Sequence, residues 1–393
     1  MKRLLIIGAS VLQLPAILKA RELGLYVGVI DMNPDAAGIK FADKFYEVST
    51  IDIPGVIAAA IDFVPDGVMT LATDMPMRSV AAVAEYFGLH GISPSVALNA
   101  TDKVAMIECF KNSNVPAPWF YTISSRSGFI DLLKHVAPPF VLKPNDSSGS
   151  RGVVLVETPE MALSSFDYSR SKSRSGIVLV EEYLQGPEVS VEIITFEGIS
   201  DVLAVTDKQT TGAPYFVEMG HSQPSMLPYQ VIEKIKEISV KAVESVGINN
   251  CSSHVEIIVT PTGPKLVELG ARLGGDCITT HLVPLSTGID MVKASIDLAL
   301  GLKPDTGKKF KKGAAIRYIT TRNGILKEIN GIDMLSKTDG VKLIEIVKKV
   351  GEQILPIRGS GDRVGYVICQ SDTPSEAISQ CEDIIEKIEI SVI

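Results

Sequence analysis

The chain has 393 residues, 46% of them hydrophobic and 21% charged, with a formal net charge of −8. That length gives two or three domains with a substantial core, and the acidic balance argues against a nucleic-acid partner. No uninterrupted apolar stretch is long enough to span a bilayer, so no membrane partner is expected. Met1-Lys2-Arg3 before Leu4–Ile7 has the charge order of a signal peptide. The apolar run is short, however, and breaks at Gly8, which reads better as a buried first strand. Five cysteines (109, 251, 277, 369 and 381) are odd in number and form no CxxC pair. They argue against a disulfide framework or zinc site and for a reducing cytoplasm.

Residues 1–100 alternate strands and helices. Leu4–Ile7, Tyr26–Asp31 and Gly67–Leu71 read as strands, Leu14–Leu23 and Pro54–Phe63 as helices. This pattern predicts an α/β domain with a Rossmann-like parallel sheet. Gly8-Ala9-Ser10 after the first strand and Asp31 at the end of the second resemble part of a dinucleotide fingerprint. Ser10 and Gln13 stand where glycines are wanted, so a nicotinamide-dependent oxidoreductase rests on a broken motif.

Residues 101–301 form the second region. A helix over Asp102–Asn112 is followed by Pro116 and Pro118, which break the chain. Strand-like Phe140–Lys143 leads into Pro144-Asn145-Asp146-Ser147-Ser148-Gly149-Ser150-Arg151-Gly152, then strand-like Val153–Val156. Small residues between two strands let backbone N–H groups approach phosphate oxygens, and serine hydroxyls add donors. Lys143 would aim a compact positive charge at the same phosphates. The alternative is a flexible hairpin tip. The basic stretch at 169–176 reads as a solvated loop or an anion site. Ile177–Leu184 is an apolar strand ending in Glu181, Glu182 and Tyr183, and Gln185–Glu188 turns the chain. Backbone at such a junction can meet an adenine edge and a following carboxylate the ribose; an ordinary turn is the plain alternative.

Ser253–Val259 and Lys265–Gly270 read as strands about a Thr260–Pro264 turn. Folding about Thr262 pairs Val259 with Lys265 and sets Glu256 opposite Glu268, a register that one bulge would spoil. Facing like charges cost a few tenths to about 1 kcal/mol, which a cation reverses. The hairpin therefore suits a magnesium–nucleotide platform, against the plain alternative of two wet edge glutamates. His254 alternates with Glu256 and either lines the site or is structural. Asp276 either meets an ammonium group or caps a helix over Cys277–Leu285. The last region, 302–393, starts with a charged linker at Lys308–Lys312. It continues through strands Ala314–Thr320 and Val364–Gln370 to a helix over Ser375–Lys387.

In chain order, Lys103, Lys143 with its glycine loop, Glu181–Leu184 with Glu188, then Glu256 and Glu268-x-x-x-Arg272 resemble the ATP-grasp superfamily over nearly the whole chain. The stretch Glu268–Asp276, with Asp207-Lys208, Tyr215–His221 and Pro224, is most similar to carboxylate–amine ligases of the L-amino-acid, dipeptide-forming type. The resemblance implies a grasp core with central and C-terminal lobes and a lid subdomain over about 115–185, and ATP with Mg²⁺ (Mn²⁺ as the alternative ion). Lys103 and Lys143 would hold phosphates under the loop Ser147, Ser148, Gly149, Ser150, Gly152 and Val153. Glu181, Glu182, Tyr183 and Leu184 would bind adenine, Glu188 ribose, and Glu256 and Glu268 the metal. Arg272 would act on the substrate carboxylate or acyl phosphate, with Lys143 as the other catalytic residue and Gly274-Gly275 near the oxyanion. Glu218, His221, Gly275 and Asp276 would contact substrate. Many relatives have asparagine two residues after the second glutamate; here it is Gly270, which leaves the number of metal ions open. The implied partners are a small carboxylate and an amine, with a homodimer as the family expectation. An aminoimidazole ribonucleotide carboxylase-like purine enzyme is the alternative within the superfamily.

Overall fold

The computed structural model describes residues 1–147 and 151–393. Its first layer is a parallel sheet of β1 (Arg3–Ile7), β2 (Tyr26–Asp31), β3 (Lys44–Glu47) and β4 (Gly67–Met69), ordered β3-β2-β1-β4. Leu4 to Ile7 are fully buried, as expected of parallel strands covered on both faces. Helix Ile53–Phe63 is started by Asp52, whose side chain accepts the Gly55 N–H. It packs so closely that a Cβ on Gly28 would lie 2.5 Å from the Phe63 ring.

A second, antiparallel sheet consists of β5 (Phe120–Ile123), β6 (Phe140–Pro144), β7 (Val154–Val156) and β8 (Val178–Glu182), ordered β5-β8-β6-β7. Helices Arg126–Leu132 and Pro159–Ser171 bring Phe129 and Phe166 into a stacked pair at 4.6 Å. These rings join Phe140, Leu142 and Val180 in a core of their own, which makes this layer a distinct packing unit.

The central sheet uses β9 (Glu188–Phe196), β10 (Ile199–Thr210), β11 (Glu218–Gln223), β12 (Cys251–Thr260), β13 (Gly263–Gly270) and β14 (Gly313–Ile319). The C-terminal lobe then adds β15 (Gly324–Asn330), β16 (Val341–Ile346), β17 (Gln353–Ile354), β18 (Gly365–Ser371) and β19 (Glu389–Val392). The eight-stranded order is β13-β12-β9-β10-β11-β14-β18-β16, so one sheet runs across residue 302 into the C-terminal lobe. β15, β17 and β19 form a small sheet beside it, and helix Pro374–Lys387 opens with a Thr373/Glu376 capping box. No helix is long and apolar enough to cross a membrane among the described residues.

One local expectation is corrected and another refined. The segment after Asp276 is a π-helical turn, Ile278–Leu282, followed by helix Val283–Thr287, and Asp276 caps neither. Asp276 and Cys277 both have positive φ (48° and 61°), so the chain enters the turn through a left-handed step. The basic stretch begins as helix: its first residues finish helix Pro159–Ser171, and the rest is a largely exposed turn, as the solvated-loop reading has it. In that turn Ser173 Oγ, Arg174 N and Ser175 N donate to the Asp146 carboxylate at 2.8–3.0 Å.

Candidate functional site

The hairpin β12–β13 turns about Pro261-Thr262, with Thr260 opposite Gly263 and Ile258 opposite Lys265. This tip pairing differs from the expected one by one residue and would set Glu256 against Val267. A bulge between Glu256 and Ile257 shifts the register again, so Glu256 faces Glu268 after all. The irregularity expected to spoil the pair instead creates it, as bulges do when they re-aim side chains.

Each carboxylate has a lysine on it. Lys103 opens helix Lys103–Asn112 and reaches Glu268 Oε1 at 2.5 Å. Burial opposes its charge, but Glu268, with Asp74 and Glu181, holds the ammonium above its usual pKa. Lys208 on β10, its side chain only 4% exposed, lies 2.5 Å from Glu188, 3.3 Å from Glu256 and 3.9 Å from Glu218. Here too burial is outweighed, by Glu256, Glu188 and Glu218, and the ammonium is held far above its usual value. Burial likewise opposes ionisation of Glu256, yet Lys208, His254 and Arg272 keep its carboxyl well below the ordinary range. Two ammonium groups thus neutralise a face that would otherwise be repulsive.

A third pair sits on the β5–β8 sheet. Lys143 on β6 meets Glu181 on β8 at 2.6 Å, and Glu181 is 3% exposed. Glu181 is thus paired with a lysine. Glu182 points the other way: Lys265 reaches both its oxygens at 2.8 Å, and its N–H donates to Trp119 O. It staples that sheet to the hairpin. Tyr183 and Leu184 follow β8 directly, and Tyr183 packs against Phe216 at 6.5 Å. Glu188 begins β9 and is the nearest partner of Lys208.

Of the loop residues, Ser147, Gly152 and Val153 are described, while Ser148, Gly149 and Ser150 lie outside the described residues. Gly152 (φ 83°) is closed on by Lys172 and Pro144, each 2.7 Å from where a Cβ would stand. Asn145 anchors the base of the loop to the helix carrying Lys103. It accepts the Val104 N–H at 3.0 Å and donates to Asp102 at 2.8 Å.

Arg272 does not share a strand face with Glu268, because β13 ends at Gly270. Asp74, from the loop after β4, holds it instead, with Nε–Oδ1 2.9 Å and Nη2–Oδ2 3.1 Å. Burial opposes the guanidinium charge, but Asp74, Glu256 and Glu268 raise its pKa further. Gly270 is explained by the same pair. A Cβ there would lie 2.7 Å from Asp74 Oδ1 and 3.0 Å from Arg272 Nε, so the ion pair fills the space of the asparagine many relatives carry.

The candidate substrate residues lie where β11 meets the C-terminal lobe. Both Asp276 oxygens are taken by Arg363, at 2.8 and 3.0 Å, so the carboxylate is committed to a guanidinium rather than open to an ammonium. Burial opposes its ionisation, but His221 and Arg363 hold it well below the carboxylate range. His221 is 1% exposed and pairs in register with Lys208. Among the described residues neither of its ring nitrogens has a hydrogen-bond partner, and Asp276 Oδ2 lies 3.6 Å from Nε2. Burial raises the Glu218 carboxyl, against the pull of Lys208. Gly275 opens to free space, whereas a Cβ on Gly274 would strike His254 Nδ1 at 2.6 Å.

Sequence reasoning passed over four participants: Asp74, Lys208, Glu192 and Arg363. His254, read with two alternatives, is both structural and at the site. Its Nδ1 contacts buried Glu192 on the neighbouring strand at 2.6 Å, and Nε2 contacts Glu256 at 3.3 Å. Burial opposes its charge, but Glu192 and Glu256 push its pKa up to about 9. The one signal for Lys208 was its place in Asp207-Lys208; the others sit in segments without a motif.

A family model described as ATP-grasp domain matches residues 136–280, and one described as L-amino acid ligase C-terminal domain 2 matches 317–392. The structure of an L-amino acid ligase from Bacillus licheniformis superposes with TM-score 0.87, at 21% identity, covering 100% of this chain and 99% of that one. Phosphoribosylglycinamide synthetase from Anaerococcus prevotii gives 0.80 at 26% identity, covering 100% of both chains. The sheets and their order define an ATP-grasp fold. By these matches residues 136–280 are an ATP-grasp domain and residues 317–392 an L-amino acid ligase C-terminal domain. Among relatives, alanine–anticapsin ligase of Bacillus subtilis (strain 168) is 28% identical over 253 residues, 58% of this chain. The chain spans 53% to 62% of the length of the alanine–anticapsin ligases it matches.

Proposed function

We propose that the chain is an ATP-dependent carboxylate–amine ligase that joins amino acids through an acyl phosphate, releasing ADP and phosphate. The observation that carries this reading is the in-register Glu256/Glu268 pair, each member held by a lysine. Among the described residues no group of three or more His, Cys, Asp or Glu side chains is placed to hold a metal. Two carboxylates suit Mg²⁺, which keeps water and takes phosphate oxygens as its remaining ligands. The residues fit that ion, and Glu256 and Glu268 would hold it. Bound there, Mg²⁺ would supply positive charge to offset that of the phosphates.

Lys103 and Lys143 exchange their carboxylate partners for phosphate oxygens. Little covalent help is needed from the protein. A substrate carboxylate oxygen attacks the γ-phosphorus and the bond to the bridging oxygen breaks, leaving ADP and an acyl phosphate. Arg272, aimed by Asp74, takes the carboxylate and then the acyl oxygen. The amine nitrogen attacks the acyl carbon, the C–O bond to phosphate breaks, and the amide forms. Glu218, with its raised carboxyl pKa, is the group we assign to the amine and its departing proton. His221, buried with open ring nitrogens, faces the same space.

Fold likeness to the purine enzyme keeps the aminoimidazole ribonucleotide carboxylase-like reading as the alternative, but the C-terminal match favours the amino-acid ligase. The test is phosphate release from ATP and Mg²⁺ with pooled amino acids, followed by product mass spectrometry. Phosphate release that requires two amino acids and yields their condensation mass supports the reading. Release that requires a ribonucleotide contradicts it.

A further inference from the structure

A cavity of about 320 Å³ shares no residue with the site described above. It lies between β10, helix Tyr229–Val246 and the segment at 308–311. β11 joins β10 only from Asp207 to Thr210, so the upstream stretch of β10 has no strand on that side. The walls are mainly apolar: Leu203, Val205, Pro224, Ile232 and Phe310. Lys236, Lys308 and Lys311 stand around them.

The lysine-rich segment is fixed rather than loose. Lys309 N and Phe310 N both donate to Thr287 O, and Lys312 N donates to Ser286 O. Gly288 (φ 78°) leaves room for it, since a Cβ there would lie 2.8 Å from Lys309 Cβ and 3.0 Å from the Phe310 ring. Lys309 reaches Asp305 at 3.8 Å, and Lys236 reaches Glu233 at 2.7 Å. Among the described residues Lys308 and Lys311 have no carboxylate partner. Partial burial, with the Lys236 and Lys311 charges, holds the Lys308 ammonium below its usual pKa. Crowded ammonium groups at the mouth of an apolar cavity are relieved by one kind of guest, an anion with an apolar body.

We propose that this cavity is a second binding site, for a monocarboxylic acid with an apolar tail and no ammonium group. The tail enters between Leu203 and Phe310 and the carboxylate rests on Lys308 and Lys311. A zwitterionic amino acid is disfavoured, because its ammonium would face the same lysines. The site is therefore chemically distinct from one that takes amino acids.

The test is calorimetric titration of the full chain with octanoate, hexanoate and 2-aminooctanoate. Octanoate should bind, hexanoate more weakly by about fourfold per methylene removed, and 2-aminooctanoate more weakly than octanoate. The double variant Lys308→Glu/Lys311→Glu lies on the surface, and its fold is checked by circular dichroism. It should weaken octanoate at least about tenfold, two charges having changed sign, while Arg272→Lys leaves octanoate affinity unchanged. Loss in Arg272→Lys with retention in the double variant would place octanoate in the reactive site and overturn the proposal. So would equal affinity for the amino acid, or no octanoate binding at all.

Discussion

The turn after β1 and the cleft around β12–β13 both carry residues that suggest a nucleotide, yet their polar groups are used differently. After β1, the chain satisfies itself. Gln13 is 2% exposed, accepts from Ser10 N and Oγ, and donates to Leu71 O, while Asp31 accepts the Ala9 N–H at 2.8 Å. A Cβ on Gly8 would lie 2.8 Å from the Gln13 side chain, so the glutamine fills the space that a glycine-rich turn would leave. In the cleft, Lys103, Lys143 and Lys208 are held by carboxylates alone among the described residues. An ammonium–carboxylate contact can be exchanged for phosphate and metal; a folded-in amide cannot without breaking the turn. Motif resemblance is equal to neither.

The comparison can be broken most severely in the cleft. Lys143→Ala or Glu268→Ala should lower ADP formation at least about a hundredfold; normal turnover in either would remove the cleft from the chemistry. Arg272→Lys keeps the charge but loses the two-point contact with Asp74. It should cost about tenfold or more in kcat/KM, read from the same coupled ADP assay.

Legibility followed the same division. The strands and helices that were read lie close to their observed bounds, apart from the segment after Asp276, because apolar runs and turn residues mark them locally; helix Tyr229–Val246 and strand β10 went unread. The glutamate pair was found with the wrong tip register, since a bulge leaves no local trace at Glu256. Asp74 was invisible: 198 residues separate it from Arg272, and nothing in Ala72–Met77 marks an ion-pair partner. Lys208 and Arg363 were missed for the same reason, being placed by β10 and the C-terminal lobe rather than by spacing. Gly270 looked like a missing ligand and is a space occupied by another domain's carboxylate.

Smaller effects sharpen the contrast. His254, with its pKa raised from 6.5 to about 9, binds a proton more tightly when folded. Its stabilisation is present in full below pH 6.5 and lost as pH rises through about 9. Urea unfolding across that window should show a loss of order 1–3 kcal/mol, flattened in His254→Asn. At the turn after β1, Gln13→Ala should cost about 1–2 kcal/mol of stability and leave ATP turnover unchanged. A fall in turnover would give that turn a role in the reaction.

The most direct measurement is a crystal structure with a nonhydrolysable ATP analogue and Mn²⁺, read by anomalous scattering. The expected result is an anomalous peak touching both Glu256 and Glu268, with Lys103 moved from Glu268 to a phosphate oxygen. A peak elsewhere, or a bound analogue with Lys103 still on Glu268, would contradict it.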